Sequence, residues 1–85
     1  MNLQDFRAAL VQLPFKPFRI YVSGGETFDV RHPELCVPGY ASVFLGFPSP
    51  KDVDAPVYAR YTVIDLAHVI RLEPLDAPAT ATALA

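Results

Sequence analysis

A single cysteine, Cys36, stands in 85 residues, which leaves no partner for an intrachain disulfide and no set of thiolates for a zinc cage. A reducing compartment is therefore expected. Charge of one sign is also scarce. Seven Lys and Arg stand against nine Asp and Glu, for a formal net charge of -2, so the chain lacks the basic excess that draws proteins onto phosphate backbones. No run approaches the roughly 20 apolar residues of a membrane span. Nor does the start read as a secretory leader, because Asp5 precedes any apolar run and residues 10–18 are interrupted by Pro14, Lys16 and Pro17. These absences point to a soluble, cytoplasmic protein with no membrane partner.

Apolar content is what the chain does have. At 52% hydrophobic and 19% charged residues the composition is that of a folded chain, and its length is that of one small domain. A domain this size buries only about 60% of its unfolded surface, so its core is thin and a cleft between two large domains is excluded.

Along the chain, Leu3, Phe6, Leu10 and Leu13 fall at spacings of three and four, which predicts a helix over 2–13. Asn2 is placed to cap it, with Asp5 in its first turn. Pro14 ends it, and the segment Pro14-Phe15-Lys16-Pro17-Phe18 is an extended connector with two aromatic anchors. Phe18, Ile20 and Val22 then alternate with Arg19, Tyr21 and Ser23. After Gly24-Gly25, Phe28, Val30 and His32 alternate with Thr27, Asp29 and Arg31.

A two-residue loop at the glycines would set Ile20 against Asp29 and split the apolar faces. A three-residue loop, 23–25, instead pairs Ile20 with Phe28, Phe18 with Val30, Arg19 with Asp29 and Tyr21 with Thr27. A type I turn with Gly25 left-handed is the expected geometry. Residues 34–41 are expected to wander. Strands follow at 42–47, 57–64 and 69–73, with an exposed Pro-rich loop at 48–56 and a tight corner at 65–68. Residues 1–75 make the domain, and 76–85 a flexible tail.

A short helix, five antiparallel strands and a tight corner before the last strand resemble the plan of an Sm-like, SH3-like small barrel. The fold class expected is thus mainly β (α+β), an N-terminal helix followed by a five-stranded antiparallel barrel. The stretch from Tyr61 to Leu72 is similar to the strand, corner, strand segment of bacterial Sm-like RNA chaperones. More specifically, Pro14-Phe15-Lys16-Pro17-Phe18, Gly24-Gly25, His32-Pro33-Glu34, Ile64-Asp65-Leu66 and Leu72-Glu73 resemble a group of short uncharacterised bacterial proteins over nearly the whole ordered chain. That resemblance implies no particular activity. Gly24 departs from it, since an acidic residue is usual there, as does the longer Pro-rich loop.

For chemistry, His32, Cys36 and His68 are the residues a cation would use, but such spacing lacks the matched ligand set of a metal site. The expectation is no metal and no cofactor: His32 closing a strand on its apolar face, Cys36 a small buried hydrophobe, His68 bonded to the corner backbone. Cys36, His32 and Glu34 contain the letters of a nucleophilic set, yet one five-residue stretch does not aim them at a common point. The glycine pair is a turn rather than a phosphate loop.

Two surfaces remain. Arg19, Tyr21, Arg31 and Arg60, with Tyr58, are basic and aromatic residues of the kind that stack single-stranded bases, with Arg19 partly neutralised by Asp29. Tyr40, Phe44, Phe47, Tyr58 and Tyr61 are more apolar surface around the third and fourth strands than one short helix covers. The expectation is a non-enzymatic binding or protein-interaction module, self-associating through the edge of the 57–64 strand. An Sm-like RNA-binding protein is the alternative.

Overall fold

A computed structural model of the chain describes residues 1–49 and 58–75. Helix α1 spans Leu3–Leu10, with Asn2 Oδ1 accepting from the Asp5 N–H at 2.8 Å. It is shorter than the 2–13 its apolar spacing predicts. Val11 closes it, and Leu13 is 95% exposed, so the inward stripe is Leu3, Phe6 and Leu10 without Leu13. A residue before proline is pushed out of helical geometry, and Leu13 precedes Pro14 across a cis bond.

Strands β1 (Phe18–Val22) and β2 (Thr27–Val30) form the expected hairpin in the expected register: Phe18 with Val30, Arg19 with Asp29, Ile20 with Phe28, Tyr21 with Thr27. The Val22 N–H donates to Glu26 O at 3.1 Å, leaving residues 23–25 as the loop. Its turn differs from the type I expected. Gly24 and Gly25 both lie at φ +96°, and the Gly25 N–H donates to Val22 O, so positive φ at the second central residue makes it type II.

Five strands were expected, and among the described residues there are six. After β2 the chain enters a 3-10 turn at Pro33–Leu35, then a short strand β3 (Cys36–Pro38) inside the segment expected to wander. Pro33 has no N–H to continue a ladder, so the chain leaves β1 there and pairs next with β4 (Ser42–Pro48). β4 also pairs with β5 (Tyr58–Asp65), and β6 (Val69–Pro74) returns to β1. The result is two antiparallel three-stranded sheets, ordered β2-β1-β6 and β3-β4-β5, rather than a closed five-stranded barrel.

The corner between β5 and β6 is a 3-10 turn at Leu66–His68, where Asp65 Oδ1 accepts from the Ala67 N–H at 2.9 Å. The Met1 ammonium donates to Leu66 O at 3.1 Å, tying the start of α1 to this corner. The core lies between the sheets and under the helix. Phe6, Ile20, Val30, Val43 and Leu45 are fully buried, and Phe6 meets Phe18 edge to face at 6.0 Å between ring centres. Each such side chain contributes about 1.5–3 kcal/mol of burial. The tail expected at 76–85, residues 50–56 of the Pro-rich loop and residue 57 of the strand expected at 57–64 lie outside the described residues. No helix among the described residues is long and apolar enough to cross a membrane.

Candidate interaction surface

Alternation along β4 divides its aromatic neighbours. Val43 and Leu45 point into the core, so Phe44 and Gly46 face outward. Phe44 sits between Val37 on β3 and Val63 on β5, and Gly46 stands opposite Tyr61. Phe44 and Tyr61 stack, with ring centres 5.1 Å apart and planes 23° from parallel. A bulge between Phe47 and Pro48 then brings Tyr58 onto the same side. Its ring meets Phe44 at 5.5 Å and Tyr61 at 6.1 Å, nearly perpendicular to both. A Cβ at position 46 would lie 2.9 Å from the Tyr58 Cβ, so only glycine allows this closure. Val37, Tyr58, Tyr61 and Val63 are all exposed.

Of the five residues expected to form an interaction surface, the fold thus gathers Phe44, Tyr58 and Tyr61. Phe47 belongs to the opposite face, against Phe28 at 6.2 Å and beneath the Arg60 guanidinium, 4.4 Å above its ring. Tyr40 is 97% exposed and makes no ring contact with the cluster. Val37 and Val63 complete the patch. Their signal was the outward parity of each strand, but Val37 was hidden in a segment not read as a strand.

The arginine set is largely engaged. Arg19 meets Asp29 through two hydrogen bonds, 2.7 and 3.2 Å, and Arg31 approaches the same carboxylate at 3.9 Å. The Arg19 hydrogen bond holds the Asp29 carboxyl below its ordinary pKa. Arg71 bonds Glu73 at 2.8 Å and lies 3.9 Å above the Tyr21 ring, whose hydroxyl donates to Glu73 at 3.1 Å. This second network follows from Arg71 and Glu73 sharing a face of β6 beside Tyr21, a relation that needs the β1–β6 register.

The residues considered for metal or nucleophilic chemistry are not brought together. His32 is exposed at the start of the 3-10 turn instead of ending a strand on the apolar face, with Nδ1 3.6 Å from Glu34. Cys36 is buried, as expected for a small hydrophobe. The His68 main-chain carbonyl accepts from the Ser23 N–H at 2.9 Å. Among the described residues no cluster of three His, Cys, Asp or Glu is arranged for a metal ion.

Burial pushes the Cys36 thiol up to about 12, so at pH 8 its thiolate fraction is on the order of 10⁻⁴. Native protein is expected to be inert to iodoacetamide at pH 8 and to react after addition of denaturant. Labelling of folded protein at the rate of a free thiol would contradict this burial.

The sheet edges differ in how they are protected. β2 has four residues and carries Asp29, with Arg31 and Pro33 just beyond. β3 has three residues and ends on Pro38. β6 has a register shift that skips Ile70, carries Arg71 and Glu73, and ends on Pro74. Short length, charge, bulges and proline are the usual guards against edge-to-edge pairing. β5 has eight residues and contains neither proline nor glycine, and its register shift, which skips Ala59, leaves residues 60–65 regular. Its Arg60 is folded over Phe47 and its Asp65 caps the corner. Among the described residues β5 pairs with β4 alone. No family model matches the chain, and no curated protein or solved structure matches it.

Proposed function

We propose that this protein is a non-enzymatic interaction module that associates, in the first instance with itself, through the edge of β5 and the aromatic face beside it. The observation that carries this reading is that the longest edge strand among the described residues is also the least guarded one, free of proline and regular from residue 60 to 65 beyond its bulge at Ala59, and that it borders Phe44, Tyr58 and Tyr61. The fold we infer is an Sm-like, SH3-like small barrel opened where Pro33 divides its second strand. The setting we infer is the cytoplasm. The resemblance to short bacterial proteins rests on residues with structural work here, since Pro33 redirects the chain and Asp65 caps the corner.

Light scattering across a concentration series tests the reading. A mass rising above 9.3 kDa with concentration is the expected result, and a constant 9.3 kDa species at millimolar protein would overturn self-association. The alternative, RNA binding through Arg19, Tyr21, Arg31 and Arg60, draws less support because Arg19 is paired with Asp29 and Arg60 lies on Phe47. Salt-sensitive binding of poly-A or poly-U oligomers at micromolar protein would restore it.

A further inference from the structure

The direction of the unpaired groups on β5 narrows what it can pair with. The Leu66 N–H donates to Ala41 O at 2.9 Å, continuing the β4–β5 ladder past Ser42 and Asp65. Backbone groups alternate between the two sides of a strand, so Thr62 and Ile64 address β4, while Tyr61 and Val63 turn their N–H and C=O outward. The partner must be another extended edge. Within this chain β3 is only three residues long, β2 carries Asp29, and β6 is bulged at Ile70 and ends on Pro74, whereas the bulge of β5 at Ala59 lies near one end and leaves residues 60–65 regular.

From these two facts, and resting on the reading of β5 as an association edge, we infer that the partner is β5 of a second copy, joined antiparallel about a two-fold axis through Thr62. In this register Tyr61 stands opposite Val63 of the second copy, twice, on the outer face, and Thr62 stands opposite its own copy on the other. Aromatic with β-branched and Thr with Thr are both favourable cross-strand pairs. The neighbouring registers that keep the faces matched are poorer. Moving Tyr61 onto the axis makes the two Arg60 side chains diagonal neighbours, roughly 7–8 Å apart. Moving Val63 onto the axis sets Tyr61 against Asp65, whose carboxylate is already engaged at the corner.

The β3-β4-β5 sheets of the two copies become one sheet of six strands, with the aromatic patches of both copies on a common face. An isologous contact uses each edge up and closes at two subunits, so neither a ring nor a fibre follows.

Sedimentation of the wild-type chain combined with cysteine crosslinking tests the inference. Thr62 lies at a non-hydrogen-bonded pair, where Cα atoms approach to about 4.5 Å, within disulfide range. Under mild oxidation Thr62→Cys is expected to give a covalent two-subunit species at least tenfold faster than Tyr61→Cys or Val63→Cys, with wild type as the control for Cys36. A two-subunit mass with fastest crosslinking at position 61 or 63 would overturn the register and leave the association reading standing. Assemblies larger than two would overturn the two-fold closure, and a wild-type chain that stays monomeric would overturn both. Isotope-filtered NMR on mixed labelled and unlabelled wild-type protein reads the same contact without substitution. Contacts between the Tyr61 ring and Val63 methyls across subunits are expected, and contacts of Tyr61 with Tyr61 instead would overturn the register.

Discussion

Phe6→Ala is expected to remove a large share of the chain's stability, from about a third of it to nearly all. Phe6 is fully buried and is the residue through which α1 reaches Phe18 and the space between the sheets. Truncating a buried phenylalanine costs about 3–5 kcal/mol, transfer and cavity together. A domain of this size has a total stability of only about 5–10 kcal/mol. A midpoint drop of roughly 12 °C or more follows at 4–8 °C per kcal/mol. Thermal unfolding followed by circular dichroism, at one fixed protein concentration so that association does not move the midpoint, measures it. A loss below about 1 kcal/mol would mean that the sheets close without the helix.

Val63→Pro is expected to dissociate the protein while leaving its fold intact. The Val63 N–H points away from β4, so proline there removes no bond of the β4–β5 ladder, and edge positions of this kind tolerate proline. In the two-fold pairing it removes one N–H donor from each subunit. At about 1 kcal/mol per hydrogen bond the dimer weakens by about 2 kcal/mol, roughly 30-fold in its dissociation constant, before any clash of the ring. Thr62→Pro provides the contrast, because its N–H faces β4 and its loss should unfold the sheet. Sedimentation together with circular dichroism separates the outcomes. A folded Val63→Pro chain that associates as tightly as wild type would remove β5 from the interface.

How far the residues alone led depended on whether local parity decided the matter. The β1–β2 register was legible because a single-residue slip would have set Ile20 against Asp29. The cap at Asn2 and the corner at 65–68 were legible from residue types at fixed offsets. Strand β3 was not, since Cys36-Val37-Pro38 before Gly39 has the composition of a loop and becomes a strand only because β4 offers a partner. A strand therefore stands where a loop was expected, and with β3 paired to β4 rather than β2 continued along β1, two sheets replace the expected barrel.

The aromatic set was legible as a list but not as a site. The Phe47/Pro48 bulge decides on which side Tyr58 falls, and that depends on how β4 and β5 meet. Among the charges, Arg19 with Asp29 followed from the hairpin alone. The network of Arg71, Tyr21 and Glu73 required a strand more than fifty residues away in sequence.

That last pairing bears on how the chain acquires its shape during synthesis. β1 takes β2 on one side within a few residues, but its other side waits for β6, the last strand described. Contacts so distant in sequence delay folding, because the intervening chain must be ordered before they form. While a ribosome is still adding residues 58–75, the hairpin stands with one flank of β1 uncovered, and the apolar faces of Phe18, Ile20 and Val22 have only α1 and the neighbouring strands for shelter. Nascent chains stalled short of β6 should therefore be sensitive to protease within the hairpin, and the arrival of β6 beside β1 is the event that protects it.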